Sequence, residues 1–351
     1  MAGSLSAEVS LAEGIPASQQ HILGLDTVRA FAALSVVLAH ILGPKLPSVL
    51  QNLGLNQGIA DFSKYLFTGH PAVIVFFVVS GFCIHYPYTR RNLPVIAFTL
   101  ARWMRIMPPA LIAMLLAYLL HVEKYNFVDG FILWSIVCEL WYYSLYPLFL
   151  WLSRRVSFTV QFLLAIILSF SLVAALGSNQ YGAGHIYGPA LNWLVALPSW
   201  LLGCVLANQH SSEIVPKTCS MRSIVLWRTT VAMVASVLYW LTMNTPVGYY
   251  LTMNLFALLV FIWIRAEINA PKCAHSLFEQ IGKWSYSIYL FHMVFLALVS
   301  RLFGIPYLYI PVILALCYLA YRIVEKPSHD YARSIFKDNR ERFRRVTVAQ
   351  G

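Results

Sequence analysis

The amino-acid sequence predicts an all-α polytopic membrane bundle of about ten transmembrane helices, with both termini in the cytosol. Of 351 residues, 59% are hydrophobic and 11% charged, with a mean hydropathy of +0.68, whereas an ordinary soluble domain is about 25% charged. The apolar residues gather into runs of near-bilayer length. Lys and Arg sit at the ends of those runs rather than in a solvated basic domain, so the formal net charge of +11 speaks for membrane topology and against a nucleic-acid partner.

Ten such runs lie near residues 27–43, 71–87, 106–121, 132–152, 158–176, 189–207, 223–243, 248–265, 283–302 and 305–324. The third opens on Met107, Pro108 and Pro109, which reads as a helical first turn, where a missing N–H is tolerated. With the N-terminus inside, twenty of the 25 Lys and Arg residues become cytosolic, among them Arg90, Arg91, Arg154, Arg155, Lys217 and Lys272. Only Lys45, Lys64, Lys124 and Arg301 face outward, as the positive-inside rule requires.

Residues 1–22 are polar, contain Glu8 and Glu13 and have no Lys or Arg, so they read as a cytosolic tail rather than a cleavable signal. Residues 23–331 form the membrane domain, and 332–351 a basic cytosolic tail. Six cysteines are scattered without CxxC pairs or matching His spacing, which suits packed thiols better than disulfides, and no metal site is expected. His70 and His85 flank the second run and read as interfacial residues.

Arg29 and His40 share the first run. Eleven helical steps bring them to nearly one face, about 16 Å apart along the axis, and ionisable residues inside a membrane helix mark a functional site by default. Counted from the ends of their runs, His40, Glu139 and His292 reach comparable depth toward the extracytoplasmic side. On the cytosolic side Arg102 and Arg105 stand one turn apart, so their guanidinium forks suit a phosphate-bearing ligand. For each there is a plainer reading: His40 and His292 as packing residues, the two arginines as topology signals, and Glu139 as a clamped structural carboxylate.

The combination LDTVRAFAALSVVLAH, FFVVSGFCI, LARWMRIMPP, WSIVCELWYYSLYP, GKWSYSIYLFH and closing VEKP resembles the acyltransferase 3 family of integral-membrane acyltransferases, in order from about Leu23 to Tyr331. The resemblance implies transfer of an acyl group, commonly acetyl from acetyl-CoA, to hydroxyls of glycans, antibiotics or lipids. It implies functional roles for Arg29, His40, Arg102 and Arg105, and a surface polysaccharide or other glycan as the commonest acceptor. It places the protein in the bacterial inner membrane, where a homo-oligomer is compatible with the sequence.

On this basis His40 is expected to act as general base on the acceptor hydroxyl, because an imidazole titrates near neutrality. Glu139 is expected to orient that ring, with His292 as the next candidate for catalysis. Arg29, Arg102 and Arg105, with Ser80, are expected to hold the acyl-CoA. Ser80 and Ser135 are the hydroxyls available for an acyl-enzyme, although neither has a recognisable partner in sequence. A transporter or flippase for a lipid-linked sugar is the rival reading, but the matched broken helices of repeated halves are not evident.

Overall fold

A computed structural model describes residues 22–67, 69–89, 94–123, 125–127, 132–177, 187–212, 219–270, 273–304 and 309–335. Among them all ten apolar runs lie on helices, and no strand is present. The helices are α1 (Leu25–Ile41), α2 (Leu46–Asn52), α3 (Gln57–Phe62), α4 (Gly69–His85), α5 (Val95–Leu119), α6 (Trp134–Leu152), α7 (Phe158–Leu176), α8 (Gly188–Ser212), α9 (Met221–Asn244), α10 (Tyr249–Ile268), α11 (Ser276–Lys283), α12 (Ser285–Phe303) and α13 (Ile310–Ala320). The predicted tail 1–22 except Ile22, the tail beyond 335, and Arg90, Arg91, Lys124, Lys217 and Lys272 lie outside the described residues.

Among the described residues seven segments are long and apolar enough to cross a membrane, or eight if α1 and α2, bent by 66° at a short break, make one span. The helix α6 is not one of them; it carries Glu139, Tyr142, Tyr143 and Tyr146, which lower its hydropathy. Nor is α13, which has 11 residues before the chain widens into a π-turn over Tyr321–Glu325 and continues helical to residue 335. The chain is a multi-pass membrane protein.

Burial sorts the bundle into centre and rim. In α8, 78% of the apolar stretch is buried, against 22% in α7 and in α9. The centre is α1, α4, α8, α10 and α12, which pack on one another, while α7 leans on α8 and α9 on α10. The outer helices expose Leu163, Leu164, Ile167 and Leu168 on α7 and Leu226, Met233 and Val237 on α9, surfaces suited to lipid. The central crossing of α4 and α8 depends on two glycines. A Cβ on Gly81 would meet the Trp200 carbonyl oxygen at 1.9 Å, and one on Gly203 would meet that of Val78 at 2.1 Å, the small-residue contact by which membrane helices approach closely.

Local sequence chemistry sets the ends. Ser157 caps α7 through Val160 N–H, Ser220 caps α9 through Ser223 N–H, and Gly304 closes α12 in the left-handed conformation at φ 74°. The start of α1 is held by a carboxylate. Buried Glu279 of α11 accepts from Gly24 N–H at 3.0 Å, Thr27 N–H at 2.9 Å and the Thr27 hydroxyl at 2.5 Å, an anion placed on otherwise unpaired helix N–H groups.

Three expectations change. The third run begins at Val95, not at Met107, so Pro108 and Pro109 stand inside a 25-residue helix that also carries Arg102 and Arg105. Pro108 cannot donate to the Met104 carbonyl; the Ser328 hydroxyl donates there instead. His85 is buried, not interfacial: one ring nitrogen meets the Tyr146 hydroxyl at 2.9 Å and the other the Asn208 side-chain oxygen at 2.8 Å. Described residues ahead of α6 are also buried. Tyr125, Ile132 and Leu133 are buried, the Tyr125 hydroxyl donates to the Leu290 carbonyl, and the Tyr289 hydroxyl reaches the Ile132 carbonyl at 3.0 Å. Depth along α6 therefore cannot be counted from its first residue.

Candidate functional site

A cleft enclosing roughly 890 Å³ of atom-free space, its open mouth included, lies among α1, α4, α5, α6 and α12. Arg29, Ser80, Arg102, Arg105, Ser135 and Glu139 all line it, so six of the residues singled out from the sequence share one site. Each helix contributes through its period. On α4, Val73, Phe76, Phe77, Ser80, Cys83 and Ile84 recur at steps of three and four on one stripe. On α5, Arg102, Arg105 and Ile106 do the same. The α12 residues Tyr286 and Tyr289 complete the wall, with His292 one turn further along the same face.

The cleft is polarised from end to end. Arg29, Arg102 and Arg105 gather near Cys83, beyond which α4 has only Ile84 and His85. Arg29 is balanced by Asp26, one turn back on α1, at 3.2 Å, a partner the sequence reading overlooked although an i, i+3 acid was visible. The Nε of Arg102 is buried and has no hydrogen-bond partner, and its guanidinium lies 5.4 Å from the centre of the Phe98 ring. A buried guanidinium N–H without an acceptor is costly unless a ligand supplies one. At the other end Val73, Phe76, Phe77 and Tyr289 make the wall apolar and aromatic.

Glu139 stands between these ends. Its carboxylate lies beside the hydroxyls of Ser80 and Tyr143 and feels the charges of Arg105 and Arg29. Those hydroxyls are 3.0 Å from each other, and Trp200 Nε1 donates to Ser80 at 3.3 Å. Glu139 thus shares the cleft with Arg29 and Arg105, whereas His40 is not among the residues that line it.

His40 is instead paired with His292. Their ring centres are 5.1 Å apart, and α1 stays continuous from Arg29 to His40, which preserves the axial separation expected from the sequence. In each ring Nδ1 faces main-chain oxygen, Val36 at 2.9 Å for His40, and Tyr289 at 2.8 Å and Ile288 at 3.1 Å for His292. A carbonyl only accepts, so Nδ1 carries the proton in both rings and Nε2 the lone pair. His292 is fully buried, and its Nε2 has no partner. The His pair does not line the cleft itself, but Tyr289 touches both: its ring centre lies 6.4 Å from that of His292.

Sequence reasoning missed Phe76, Cys83, Tyr286 and Tyr289. The tyrosines were legible as an i, i+3 stripe running into His292; Phe76 was hidden because a Phe in an apolar run is the rule. Ser135 lines the cleft, where its hydroxyl lies 2.8 Å from that of Tyr289.

A family model described as an acyltransferase domain, that of acyltransferase 3, matches residues 22–324. The chain belongs to the acyltransferase 3 family. This match takes in every residue that lines the cleft, together with His40 and His292, so the acyltransferase domain and the polar site coincide. No curated protein and no solved structure matches the chain.

Proposed function

We propose that this acyltransferase moves an acyl group, acetyl by preference, from a cytosolic acyl-CoA to a hydroxyl of a glycan or glycoconjugate on the extracytoplasmic side of a bacterial inner membrane, with His40 as general base. The observation that carries the reading is the polarised cleft: guanidiniums at one end, an aromatic wall at the other, and the His40–His292 pair against that wall. Phosphates suit the arginine end, where Arg102 has an N–H to offer. Arg29, already paired to Asp26, guides the diphosphate or the pantetheine arm rather than the reacting carbonyl.

Along α4 the distance from Ile84 to Gly69 is about 22 Å at 1.5 Å per residue. A Cβ on Gly69 would lie 3.5 Å from the His40 ring, so a donor lying along this helix points its thioester toward His40. The Nε2 lone pair of His40 takes the proton of the acceptor hydroxyl, and the oxygen attacks the thioester carbonyl. When the tetrahedral adduct collapses, the C–S bond breaks and the CoA thiolate leaves, receiving that proton as the free thiol. The ester is left on the acceptor. Glu139 balances Arg29 and Arg105 beside the hydroxyls of Ser80 and Tyr143. The excess of Lys and Arg on one side of the bundle supports the sidedness.

The test is transfer by purified protein in liposomes supplied with radiolabelled acetyl-CoA and a panel of glycan acceptors. Label should appear on a glycan with wild type and fall by about 10²–10⁴-fold with His40→Ala, while binding of acetyl-CoA persists. No transfer to any acceptor, or full transfer by the His40 variant, would overturn the reading. Movement of an unmodified sugar across the liposome membrane would favour a transporter.

A further inference from the structure

The wall between the cleft and the His pair is built from one half-buried aromatic side chain and one that is buried and hydrogen-bonded. Phe76 and Tyr289 meet edge to face, with ring centres 5.6 Å apart, and both line the cleft. Tyr289 is 7% exposed and fastened by its hydroxyl, which donates to the Ile132 carbonyl at 3.0 Å and lies 2.8 Å from the Ser135 hydroxyl. On α4 the neighbours Val73 and Phe77 are buried, whereas Phe76 is only half-buried and keeps surface toward the cleft. Behind Tyr289 the next ring is His292, and behind that His40.

From this arrangement we infer that Phe76, closing against the fixed Tyr289 ring, sets the length of acyl chain the protein accepts. The inference rests on the donor reading above. A thioester that approaches His40 with its phosphates at the arginine end must place its acyl chain against these two rings. Tyr289 cannot yield without breaking two hydrogen bonds, and Val73 and Phe77 are locked in the core, so the free space beyond the carbonyl is fixed by the Phe76 ring. Such a wall admits an acetyl group and meets each further methylene with a clash or a forced rotation of Phe76. Discrimination by an apolar pocket amounts to about 10–200-fold per methylene, enough to separate acetyl from butyryl donors. The same rings keep water from the carbonyl until a donor is seated.

The experiment measures displacement of radiolabelled acetyl-CoA from the purified wild-type protein by butyryl-CoA and hexanoyl-CoA, and repeats it with Phe76→Ala and Phe76→Leu. In wild type, acetyl-CoA should bind more tightly than hexanoyl-CoA. In Phe76→Ala that ratio should move at least about 10-fold toward hexanoyl-CoA, and Phe76→Leu, which keeps an apolar branched side chain in the core, should fall between. Should both variants bind acetyl-CoA with the wild-type ratio, the gate is wrong and the donor reading stands. If wild type binds none of the three thioesters, the donor reading fails and the gate with it.

Discussion

The imidazoles of His40 and His292 face each other across α1 and α12, 5.1 Å apart, each with Nδ1 tied to carbonyl oxygen of its own helix. The two rings therefore share a tautomer, with the lone pair of each on Nε2. In His292 that nitrogen is buried with no partner. A buried acceptor without a donor has a cost of about 1–3 kcal/mol, which a packing histidine would have no reason to bear. An acceptor substrate carrying several hydroxyls would relieve it.

His292 should therefore act on the acceptor rather than the donor. His292→Phe, which keeps the volume and the apolar packing, should lower kcat by about 100-fold and leave the affinity for acetyl-CoA unchanged. Steady-state kinetics with the acceptor varied, alongside acetyl-CoA binding, separates the two. An unchanged kcat would return His292 to a packing role.

Arg102 and Arg105 should act on the donor. Hydrogen bonds to charged groups are worth about 1.5–3 kcal/mol each, so the double change to Ala should weaken acetyl-CoA binding by at least about 100-fold. Arg102→Lys should recover only part, because a point charge cannot repeat the guanidinium fork. Equilibrium binding of acetyl-CoA in detergent reads both, and wild-type affinity in the double variant would make these arginines topology signals only.

How much of this was legible in the chain depends on what each residue needed to know. Periodicity and hydropathy place all ten apolar runs on helices, and among the described residues seven or eight segments are long and apolar enough to cross a membrane by themselves. The cluster of Arg29, Ser80, Arg102, Arg105 and Glu139 was legible as residue types but not as one cleft, since contacts between distant parts of the chain decide which helix faces meet. Tyr125 reaching Leu290 and Tyr289 reaching Ile132 are such contacts, 165 and 157 residues apart. The proline pair misled in the same way. Only a distant hydroxyl, that of Ser328, makes the interior of α5 tolerable for Pro108.

Glu267 and Arg228 offer a test of packing away from the cleft. The Arg228 guanidinium grips Glu267 at 2.7 and 2.9 Å and lies 5.1 Å from the centre of the Phe31 ring of α1, and Trp263 Nε1 donates to the same carboxylate at 2.9 Å. Glu267 is 1% exposed. Arg228→Met should destabilise the protein by about 3–5 kcal/mol, because it strands a buried carboxylate, while Arg228→Met combined with Glu267→Gln should recover much of that loss. Thermal unfolding in a fixed detergent measures it. A double variant no better than the single one would show that the Arg228 stem and its contact with Phe31, rather than the charge, hold α9 to the bundle.

The crossing of α4 and α8 carries the last prediction, and it ties the fold to the cleft. Gly81 follows Ser80 directly, on the side of α4 turned to α8, and a methyl group there has no flexible neighbour to displace: it meets the backbone of Trp200 at 1.9 Å and that of Cys204 at 3.3 Å. Relief requires the helices to separate, which would pull Trp200 Nε1 from Ser80 and disturb the hydroxyl pair beside Glu139. Gly81→Ala should therefore lower stability by about 1–3 kcal/mol or more and also reduce transfer in whatever fraction stays folded. Gly54→Ala on the connection after α2, where no heavy atom lies within 4 Å but φ is 84°, should cost only the backbone strain of about 1–2 kcal/mol and leave transfer intact. Unfolding temperatures and specific activities of the two variants, compared side by side, distinguish a contact that shapes the cleft from one that only shapes a turn.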